Sequence, residues 1–399
     1  MANCERQLIA SFIILCLLLT PSVAVAEGIT VVESMADHSF AQQITFTLRA
    51  VSDAEINAVY LFFRATGDEQ AESALVNIEP GREIDVSYTR DLRHFPLSPF
   101  TQITFWWRIE DSAGNTLTTD PQQIEYTDNR FRWEQAGGDG ITVHWIEGHG
   151  DPIFGQAALD IARASLEEIN AELHAPLPES IAIYIYDAQH NLDAAMLLTG
   201  HDWAAGQARP ELGVVIVAIP YEDGYTSRME RYIPHEITHL LVYQDVTPAG
   251  YKYVPEWLDE GLATANERSP TSELSLALER AREEGQLFSL DYLCVPFPPD
   301  RNAALLAYAQ SGSVVRFIRE RYGAEKIRGL LTAYANGASC ASGVQDVLNV
   351  SISGLDTAWR ASLEPRGPWR VLFDQIGVWV GLWLLSLLVA VPMIGKLRP

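Results

Sequence analysis

The chain has few basic residues for its length. Its 399 residues include 28 Lys and Arg against 52 Asp and Glu, which gives a formal net charge of −24. A chain this acidic repels phosphate backbones, and because no basic patch interrupts the acidic composition, a nucleic-acid partner is excluded. The 48% of hydrophobic and 20% of charged residues are typical of globular domains, so we expect buried cores rather than disorder.

Catalytic motifs of several enzyme classes are also absent. The sequence has no glycine-rich phosphate loop, no Gly-x-Ser-x-Gly elbow and no pairing of Cys with His that predicts a nucleophile. Among its 4 cysteines, Cys294 and Cys340 do not have the spacing of metal ligands. In an oxidising compartment these two can pair as a disulfide, or they can remain two separate buried thiols.

The amino terminus has the pattern of a secretory signal peptide. An apolar run at Leu8–Leu19 precedes Ala24–Ala26, the small-residue pattern after which a signal peptidase cuts. Cleavage there removes residues 1–26 and with them Cys4 and Cys16. Because the segment before the apolar run carries little positive charge, an uncleaved anchor is the alternative.

The carboxy terminus has the pattern of a membrane anchor. Residues 376–395 are uniformly apolar and uncharged, long enough to span a bilayer as a helix, and are followed by Lys396 and Arg398. A buried core helix is the alternative. Together with the export signal, the run predicts a single-pass protein of the cell membrane with an extracytoplasmic body and a cytoplasmic stub at 396–399.

Residues 27–134 are predicted to form a β domain. Short alternating segments such as Ile44–Leu48 and Ile103–Ile109 are separated by turn residues, without helical periodicity. This spacing favours an all-β sandwich of immunoglobulin or fibronectin type. Trp106 and Trp107 lie on opposite faces of one strand, so one fills the core and the other faces a neighbour or a partner.

Residues 135–365 are predicted to form an α+β domain, separated from the first by the glycine-rich run Gly137–Gly140. The pattern beyond this run mixes long amphipathic segments with short apolar ones. It predicts a helix at 154–174, strands at 181–186 and 213–219, and mainly helices from residue 228 onward.

A metal-ligand pattern lies in the helical part. His235-Glu236-Ile237-Thr238-His239 is an HExxH motif, which on a helix places both imidazoles on one face within reach of one ion. Glu236 then lies beside the pair, where it can take a proton from metal-bound water and pass it to a leaving amine. The remaining histidines have no partner at ligand spacing; they are His38, His94, His144, His149, His174, His190 and His201.

A catalytic zinc needs a third protein ligand. Acidic candidates follow the motif in Pro255-Glu-Trp-Leu-Asp-Glu-Gly-Leu-Ala263, where Glu256, Asp259 and Glu260 lie on different sides of a helix. Only one of the three can point at the histidines.

These two segments resemble the paired motifs of the gluzincin metallopeptidases, most closely the peptidase MA-like branch. HEITHLL and PEWLDEGLA are similar to that group's motifs, and WLDEGLA is similar to the WLNEGFA segment of aminopeptidase N-type enzymes. The resemblance covers roughly His144 to Leu363 and implies a zincin-type α+β fold with one zinc ion per chain. It implies Glu260 as the third ligand and peptide-bond hydrolysis by Glu236-assisted attack of zinc-bound water.

The resemblance assigns two more residues. Glu267 resembles a family glutamate that steadies a ligand histidine; its alternative is a solvated helix carboxylate. Tyr308 resembles the family tyrosine that stabilises the oxyanion, although a glycine follows it by four residues rather than three; its alternative is packing against Leu305 and Val315.

The resemblance also bears on the substrate. The strand at 213–219 precedes the metal helix, where relatives place an edge strand that pairs with extended peptide. No GAMEN-like segment that binds a free amino terminus precedes His235, so an endopeptidase is favoured over an exopeptidase. A catalytically retired surface scaffold or adhesion protein, and a zinc hydrolase of a non-peptide bond, are the alternatives.

Overall fold

The computed structural model describes residues 28–94, 96–196, 206–269 and 272–364. They form two compact units: the first runs to Phe131 and also takes in Ala195 and Met196, and the second comprises the other described residues from Arg132 onward. The predicted signal peptide, the predicted membrane helix at 376–395 and the stub at 396–399 lie outside the described residues. Within those ranges, none of the helices is long and apolar enough to cross a bilayer.

The first unit is built from antiparallel strands around one very long strand. The first half of β2 pairs with β1 on one side and β4 on the other, and its second half pairs with β3 and β5. Strands β6 and β7 pair with β5. The strands are β1 Ile29–Ser39, β2 Gln43–Ala65, β3 Glu72–Val76, β4 Gly81–Asp91, β5 Thr101–Asp111, β6 Thr116–Thr118 and β7 Gln122–Tyr126.

The two halves of β2 share one core. Phe46, from the first half, lies 5.4 Å from the ring of Phe63 in the second half and 5.2 Å from that of Phe105. Trp107 is fully buried, whereas Trp106 stacks on Phe62 at 5.6 Å, so the two indoles lie on opposite faces of β5. The β-rich first unit is confirmed, and its immunoglobulin or fibronectin type stays a prediction.

From Trp133 the chain forms a five-stranded sheet in the order β11-β12-β10-β9-β8, with helices after it. Strands β9, β10 and β12 are parallel, and β8 and β11 are antiparallel edges. The elements are β8 Trp133–Gly138, β9 Ile141–Ile146, α1 Pro152–Leu173, β10 Ile181–Tyr186, α2 Gln189–Met196, β11 Gly206–Arg209, β12 Val214–Ala218, α3 Tyr225–Tyr251, α4 Glu256–Asn266, α5 Ser272–Glu283, α6 Arg301–Tyr322, α7 Glu325–Ala335, α8 Cys340–Leu348 and α9 Ile352–Leu363.

The glycine-rich run at 137–140 is a hairpin turn within this sheet. Gly138 pairs with Ile141, so Asp139 and Gly140 form a two-residue loop with φ of 56° and 79°. Positive φ at both central residues is the turn geometry that twisted antiparallel strands prefer. The sequence predicts a domain boundary between residues 134 and 135, marked by this run, whereas the structure divides the units between Phe131 and Arg132 and places the run inside the second unit.

Strand β12 is a central strand, which corrects the predicted edge position of the 213–219 segment. Its five residues are all buried, because it lies between β10 and β11. The edge is β11, whose sequence Gly-Gln-Ala-Arg has no apolar alternation from which a strand is predicted.

One hydrophobic core holds the sheet and the metal-motif helix together. Val143, Ile183 and Val217, from neighbouring strands, are fully buried with Ile233 and Ile237 of α3. Burial of side chains of this size stabilises the fold by roughly 1.5–3 kcal/mol each. The apolar face of α3 is thereby fixed on the sheet, and the motif residues on its other side are held in place.

Candidate metal centre and active site

Helix α3 carries the two motif histidines one turn apart. The rings of His235 and His239 lie 5.2 Å apart and are largely buried, with 16% and 10% of their side chains exposed. Because Ile233 and Ile237 occupy the core face, the histidines point away from it. This orientation directs both imidazoles toward α4.

Pro234 lies inside α3 and links that helix to the end of α4. Proline lacks an N–H, so the carbonyl oxygen of Glu230 loses its helical donor. The backbone N–H of Arg268 donates to that oxygen at 3.0 Å, and Asn266 donates to Thr238 Oγ1 at 3.0 Å. The Glu230 carbonyl oxygen, left without its helical donor by Pro234, thus holds the carboxy-terminal end of α4 beside His235.

Glu260 on α4 completes the ligand set. Its Oε2 lies 3.3 Å from His235 Nε2 and 3.6 Å from His239 Nε2, and the three ligand atoms lie within 4.8 Å of one another. The other two acidic candidates have different partners: Asp259 Oδ1 lies 3.1 Å from His239 Nδ1, and Glu256 Oε2 accepts the Phe297 backbone N–H at 2.7 Å. The structure therefore brings together the three residues that the resemblance implies.

The donor set fits zinc. Glu260 Oε2 is buried and, among the described residues, has no donor aligned for a hydrogen bond, although two imidazole nitrogens face it. Two histidines and one glutamate are a usual catalytic zinc set with a position left open for water or substrate. A cation between these three atoms would satisfy the buried oxygen.

Glu267 holds the first histidine. Its Oε1 lies 3.2 Å from His235 Nδ1, and its Oε2 accepts from Arg231 Nε at 3.2 Å. The side chain is only 4% exposed, so the alternative of a solvated carboxylate is wrong. Because Nδ1 faces a carboxylate, it carries the proton and Nε2 is left to bind the metal.

Asp259 does the same for the second histidine, so two of the three acids face the histidines, which corrects the expectation that only one can. Besides facing His239 Nδ1, Asp259 accepts the Tyr251 hydroxyl at 2.7 Å through Oδ2. Burial and this carboxylate together raise the pKa of Tyr251, so the hydroxyl stays protonated and donates. The only sequence signal is the position of Asp259 next to Glu260, which made it a rival ligand.

The ligand charges stabilise one another. Burial opposes charge on His235, but the neighbouring carboxylates of Glu260 and Glu267 outweigh that and raise its pKa to about 9. Burial likewise opposes ionisation of Glu260, but His239 and His235 lower its pKa below the usual range. Glu260 therefore stays ionised at neutral pH, whereas the imidazoles must lose protons when they bind a metal.

Glu236 lies between the histidines and the edge strand. It is 6% exposed, and this burial raises its pKa, although His235 and His239 act in the opposite direction. The backbone N–H of Ala208 on β11 lies near its carboxylate and also acts to lower the Glu236 pKa. A Cβ atom on Gly206 would lie 2.6 Å from Glu236 Oε1, so this close approach of β11 to Glu236 needs glycine.

Tyr308 on α6 reaches the same centre. Its ring centroid lies 6.4 Å from that of His235, and its hydroxyl lies near the Glu260 carboxylate. Burial first, and Glu260 second, raise the Tyr308 pKa well above its usual value, so the hydroxyl remains a donor at neutral pH. The alternative from the sequence, a tyrosine that only packs against Leu305 and Val315, does not account for the position of its hydroxyl near Glu260.

Two glycines let α6 approach α4 closely enough for this contact. A Cβ atom on Gly261 would lie 2.8 Å from the Ser311 carbonyl oxygen, and one on Gly312 would lie 2.7 Å from Thr264 Cγ2. Gly312, the glycine four residues after Tyr308, thus serves the helix crossing. The close approach of the Ser311 backbone to Gly261 explains why glycine follows the ligand Glu260.

Cys294 and Cys340 form a disulfide across 46 residues of sequence. It joins the short 3-10 turn Tyr292–Cys294 to the start of α8. Trp257 Nε1 lies 3.3 Å from Cys340 Sγ, so the bridge lies against the helix that carries Glu260.

Comparisons with known proteins bear on this half of the chain. The family model of the peptidase MA superfamily matches residues 161–365, a range that includes the HExxH motif, Glu260 and Tyr308. None of the curated proteins matches the chain in sequence.

Similar solved structures include a mutant of the M1 zinc metallopeptidase from Deinococcus radiodurans. It is 12% identical over 85% of this chain and 96% of its own, with a TM-score of 0.37. Another is an aminopeptidase N family protein from Idiomarina loihiensis, 10% identical over 79% of this chain and 73% of its own, with a TM-score of 0.38. Both are distant likenesses.

Proposed function

The chain belongs to the peptidase MA superfamily and is thus a metallopeptidase, and on that premise we propose that it is a membrane-anchored zinc endopeptidase working outside the cytoplasm. The convergence of Glu260 Oε2 on His235 Nε2 and His239 Nε2, at 3.3 Å and 3.6 Å, carries the proposal. Glu236, buried beside these ligands, is the base that hydrolysis requires.

One zinc ion would be held by His235, His239 and Glu260. When bound, it supplies a Lewis acid that polarises the scissile carbonyl and acidifies a coordinated water. Glu267 and Asp259 keep the two imidazoles oriented toward the ion through their Nδ1 atoms.

Glu236 moves the proton. Its carboxylate takes a proton from the attacking water and then delivers it to the leaving amine. Burial raises its pKa, and a pKa closer to neutrality suits a group that must both accept and release a proton. The close approach of β11 at Gly206 places the carboxylate beside that strand.

Tyr308 stabilises the negative charge that develops on the carbonyl oxygen. Its hydroxyl lies at the ligand carboxylate of Glu260, and its raised pKa keeps it a hydrogen-bond donor. A donor of this kind contributes about 10²- to 10³-fold to turnover in hydrolases.

The substrate is an extended peptide bound along β11. Among the described strands, β11 is one of the two edges of the sheet, and it reaches Glu236 at Gly206, so a peptide added to this edge would pass the base. The sequence has no GAMEN-like segment before His235, which favours internal cleavage over removal of amino-terminal residues.

The location is inferred from the two ends of the sequence. The signal-peptide pattern at 1–26 and the apolar run at 376–395 favour export with retention in the membrane. A disulfide between Cys294 and Cys340 suits an oxidising compartment. The first unit, as an immunoglobulin-like or fibronectin-like sandwich, would hold the catalytic unit off the membrane or bind a partner.

The decisive experiment measures metal content and cleavage of a mixed peptide library by the wild type and by Glu236→Gln. We expect about one zinc ion per chain in both proteins and internal cleavage by the wild type only, because glutamine cannot accept the proton. Turnover in the variant should fall by at least about 10²-fold.

The other outcomes identify the alternatives. Zinc without cleavage of any peptide by the wild type indicates a retired scaffold or a hydrolase of another bond. A chain that binds no zinc contradicts the metal site, and full activity in Glu236→Gln contradicts the assigned base.

A further inference from the structure

Tyr308 is contacted by an aromatic residue from outside its own helix. The ring of Phe297 meets that of Tyr308 edge to face, with centroids 5.2 Å apart. Phe297 lies in the irregular segment between the 3-10 turn Tyr292–Cys294 and α6. Edge-to-face pairs of this kind favour one relative orientation of the rings.

The backbone at Phe297 is held by the first residue of α4. The Phe297 N–H donates to Glu256 Oε2 at 2.7 Å, a charge-assisted hydrogen bond. Glu256 lies one helical turn before Glu260, on the same side of α4, which corrects the expectation that the three acids lie on different sides of the helix. Helix α4 thus carries two carboxylates that bear on Tyr308. Glu260 lies near its hydroxyl, and Glu256 holds the backbone of Phe297, whose ring packs against Tyr308.

The same segment is held a second time by the disulfide. Cys294 lies three residues before Phe297 and is bonded to Cys340, and at the other end Asp300 accepts from the Ala303 N–H and begins α6. The short piece of chain that carries Phe297 is therefore attached to three elements of the second unit.

We propose that Glu256 and Phe297 form a positioning pair that holds the Tyr308 hydroxyl at the metal centre. Glu256 fixes the backbone of Phe297, and Phe297 fixes the ring of Tyr308. This role deepens the proposed peptidase function and rests on it. The pair acts on the reaction through Tyr308.

The physical need for such a pair lies in the tyrosine side chain. The ring of a tyrosine can take other staggered positions about its first side-chain bond, and α6 fixes only its backbone. A misplacement of about 1 Å can cost about 10²-fold in turnover. A neighbouring ring that blocks the other positions keeps the hydroxyl where an oxyanion forms.

A different role for Glu256 is direct recognition of a cationic group of the substrate. The two roles differ in what they need from the side chain. Positioning needs an oxygen that accepts the Phe297 N–H, which glutamine also has, whereas recognition of a cation needs the negative charge.

The test compares Glu256→Ala, Glu256→Gln and Phe297→Leu in the full chain, with a quenched peptide chosen from the library as substrate. We expect Glu256→Ala and Phe297→Leu to lower kcat by about 10- to 100-fold, with KM within about threefold of the wild type and zinc content unchanged. Glu256→Gln should retain most of the turnover. If it is as impaired as Glu256→Ala, the positioning role is refuted and recognition by charge replaces it.

The same changes made in a Tyr308→Phe background separate positioning from general damage. Because the pair acts through the Tyr308 hydroxyl, Glu256→Ala should lower kcat by less than about threefold once that hydroxyl is gone. An equal loss in both backgrounds contradicts the proposal. The double variant Cys294→Ser with Cys340→Ser should behave like Glu256→Ala, since it frees the same segment.

A measurement that needs no turnover tests the positioning role even if the chain cleaves no peptide. Fluorine NMR of the full chain carrying 3-fluorotyrosine reports the surroundings of Tyr308, whose signal is assigned by its loss in Tyr308→Phe. The signal should shift in Glu256→Ala and stay in place in Glu256→Gln. An unchanged signal in Glu256→Ala overturns the positioning role, whatever the activity of the wild type.

Discussion

Each of the two histidines on α3 has a carboxylate at its Nδ1 atom. Glu267 lies 3.2 Å from that atom of His235 and Asp259 lies 3.1 Å from that of His239. These contacts decide the tautomer of both rings and leave both Nε2 atoms facing Glu260. Two carboxylates that never touch the metal thereby determine the geometry of the ligands that do.

The first prediction at this scale concerns the two orienting carboxylates. Asp259→Asn and Glu267→Gln should each weaken zinc binding by about 10- to 100-fold, because an amide holds the imidazole less firmly and can offer it the wrong group. Competition with a fluorescent zinc chelator measures the affinity. Glu279→Gln, which changes an acid on α5 outside the site, is the control and should leave the affinity unchanged.

The contrary result is equally clear. If both variants bind zinc as tightly as the Glu279→Gln control, the contacts at Nδ1 do not orient the ligands, and the histidines must be held by the packing of α3 alone.

At the scale of elements, the crossing of α4 and α6 brings the site together. Gly261 follows the ligand Glu260 and faces the Ser311 backbone, while Gly312 faces Thr264. Without side chains at these two positions the helices approach closely enough for the Tyr308 hydroxyl to reach Glu260. The WLDEGLA segment therefore specifies the packing of α4 on α6 through Gly261, as well as the ligand Glu260.

The second prediction follows from that crossing. Gly261→Ala places a Cβ atom 2.8 Å from the Ser311 carbonyl oxygen, and backbone cannot move aside as a side chain can. We expect the free energy of unfolding to fall by about 1–3 kcal/mol, and turnover to fall because Tyr308 moves away from Glu260. Urea unfolding and kcat are the measurements.

Gly329→Ala on α7 is the matched control. The atom nearest to its new Cβ is the end of the Val347 side chain at 2.9 Å, which can rotate, and alanine is the better helix former by up to about 1 kcal/mol. Equal stability of the two variants contradicts the role given to the α4–α6 crossing.

At the scale of the whole molecule, the chain joins two units of different construction. An antiparallel β unit is followed from Trp133 by a mixed sheet with helices that carry the site. The proposed signal peptide and membrane helix lie at the two ends of the sequence. Whether these two segments act as an export signal and a membrane anchor is tested by locating the intact protein in the cell.

The third prediction concerns that location. The full chain, made in a host with an export pathway, should fractionate with membranes and resist extraction by high salt, and a chain ending at Glu364 should be released in soluble form on the far side of the membrane. Immunoblots of the fractions measure both. Retention of the truncated chain in the membrane would assign the anchor to the uncleaved amino terminus.

Local patterns accounted for much of the second unit. The periodicity predicted a helix at 154–174 and strands at 181–186 and 213–219, and these are confirmed as Pro152–Leu173, Ile181–Tyr186 and Val214–Ala218. The helix has an apolar stripe at helical spacing because one face packs on the core, and the two strands are continuous apolar runs because they are buried on both faces. Strand β11 lacks such a run, and its place at the sheet edge is visible only in the structure.

The sequence by itself determined the chemistry that is available: two imidazoles one turn apart with a glutamate between them, and an acidic segment downstream. A helix fixes the relative directions of residues within it, so His235 and His239 had to share a face. It did not decide among Glu256, Asp259 and Glu260, because that choice depends on how α4 packs on α3 and α6.

Only the tertiary structure gave each of those three acids a separate role. Glu256 anchors the backbone of Phe297, Asp259 is the partner of His239, and Glu260 turns an oxygen toward both Nε2 atoms. The physical reason is distance along the chain. Contacts between residues far apart in the chain depend on how the helices pack against one another. Which of those distant residues meet leaves no local pattern in the sequence.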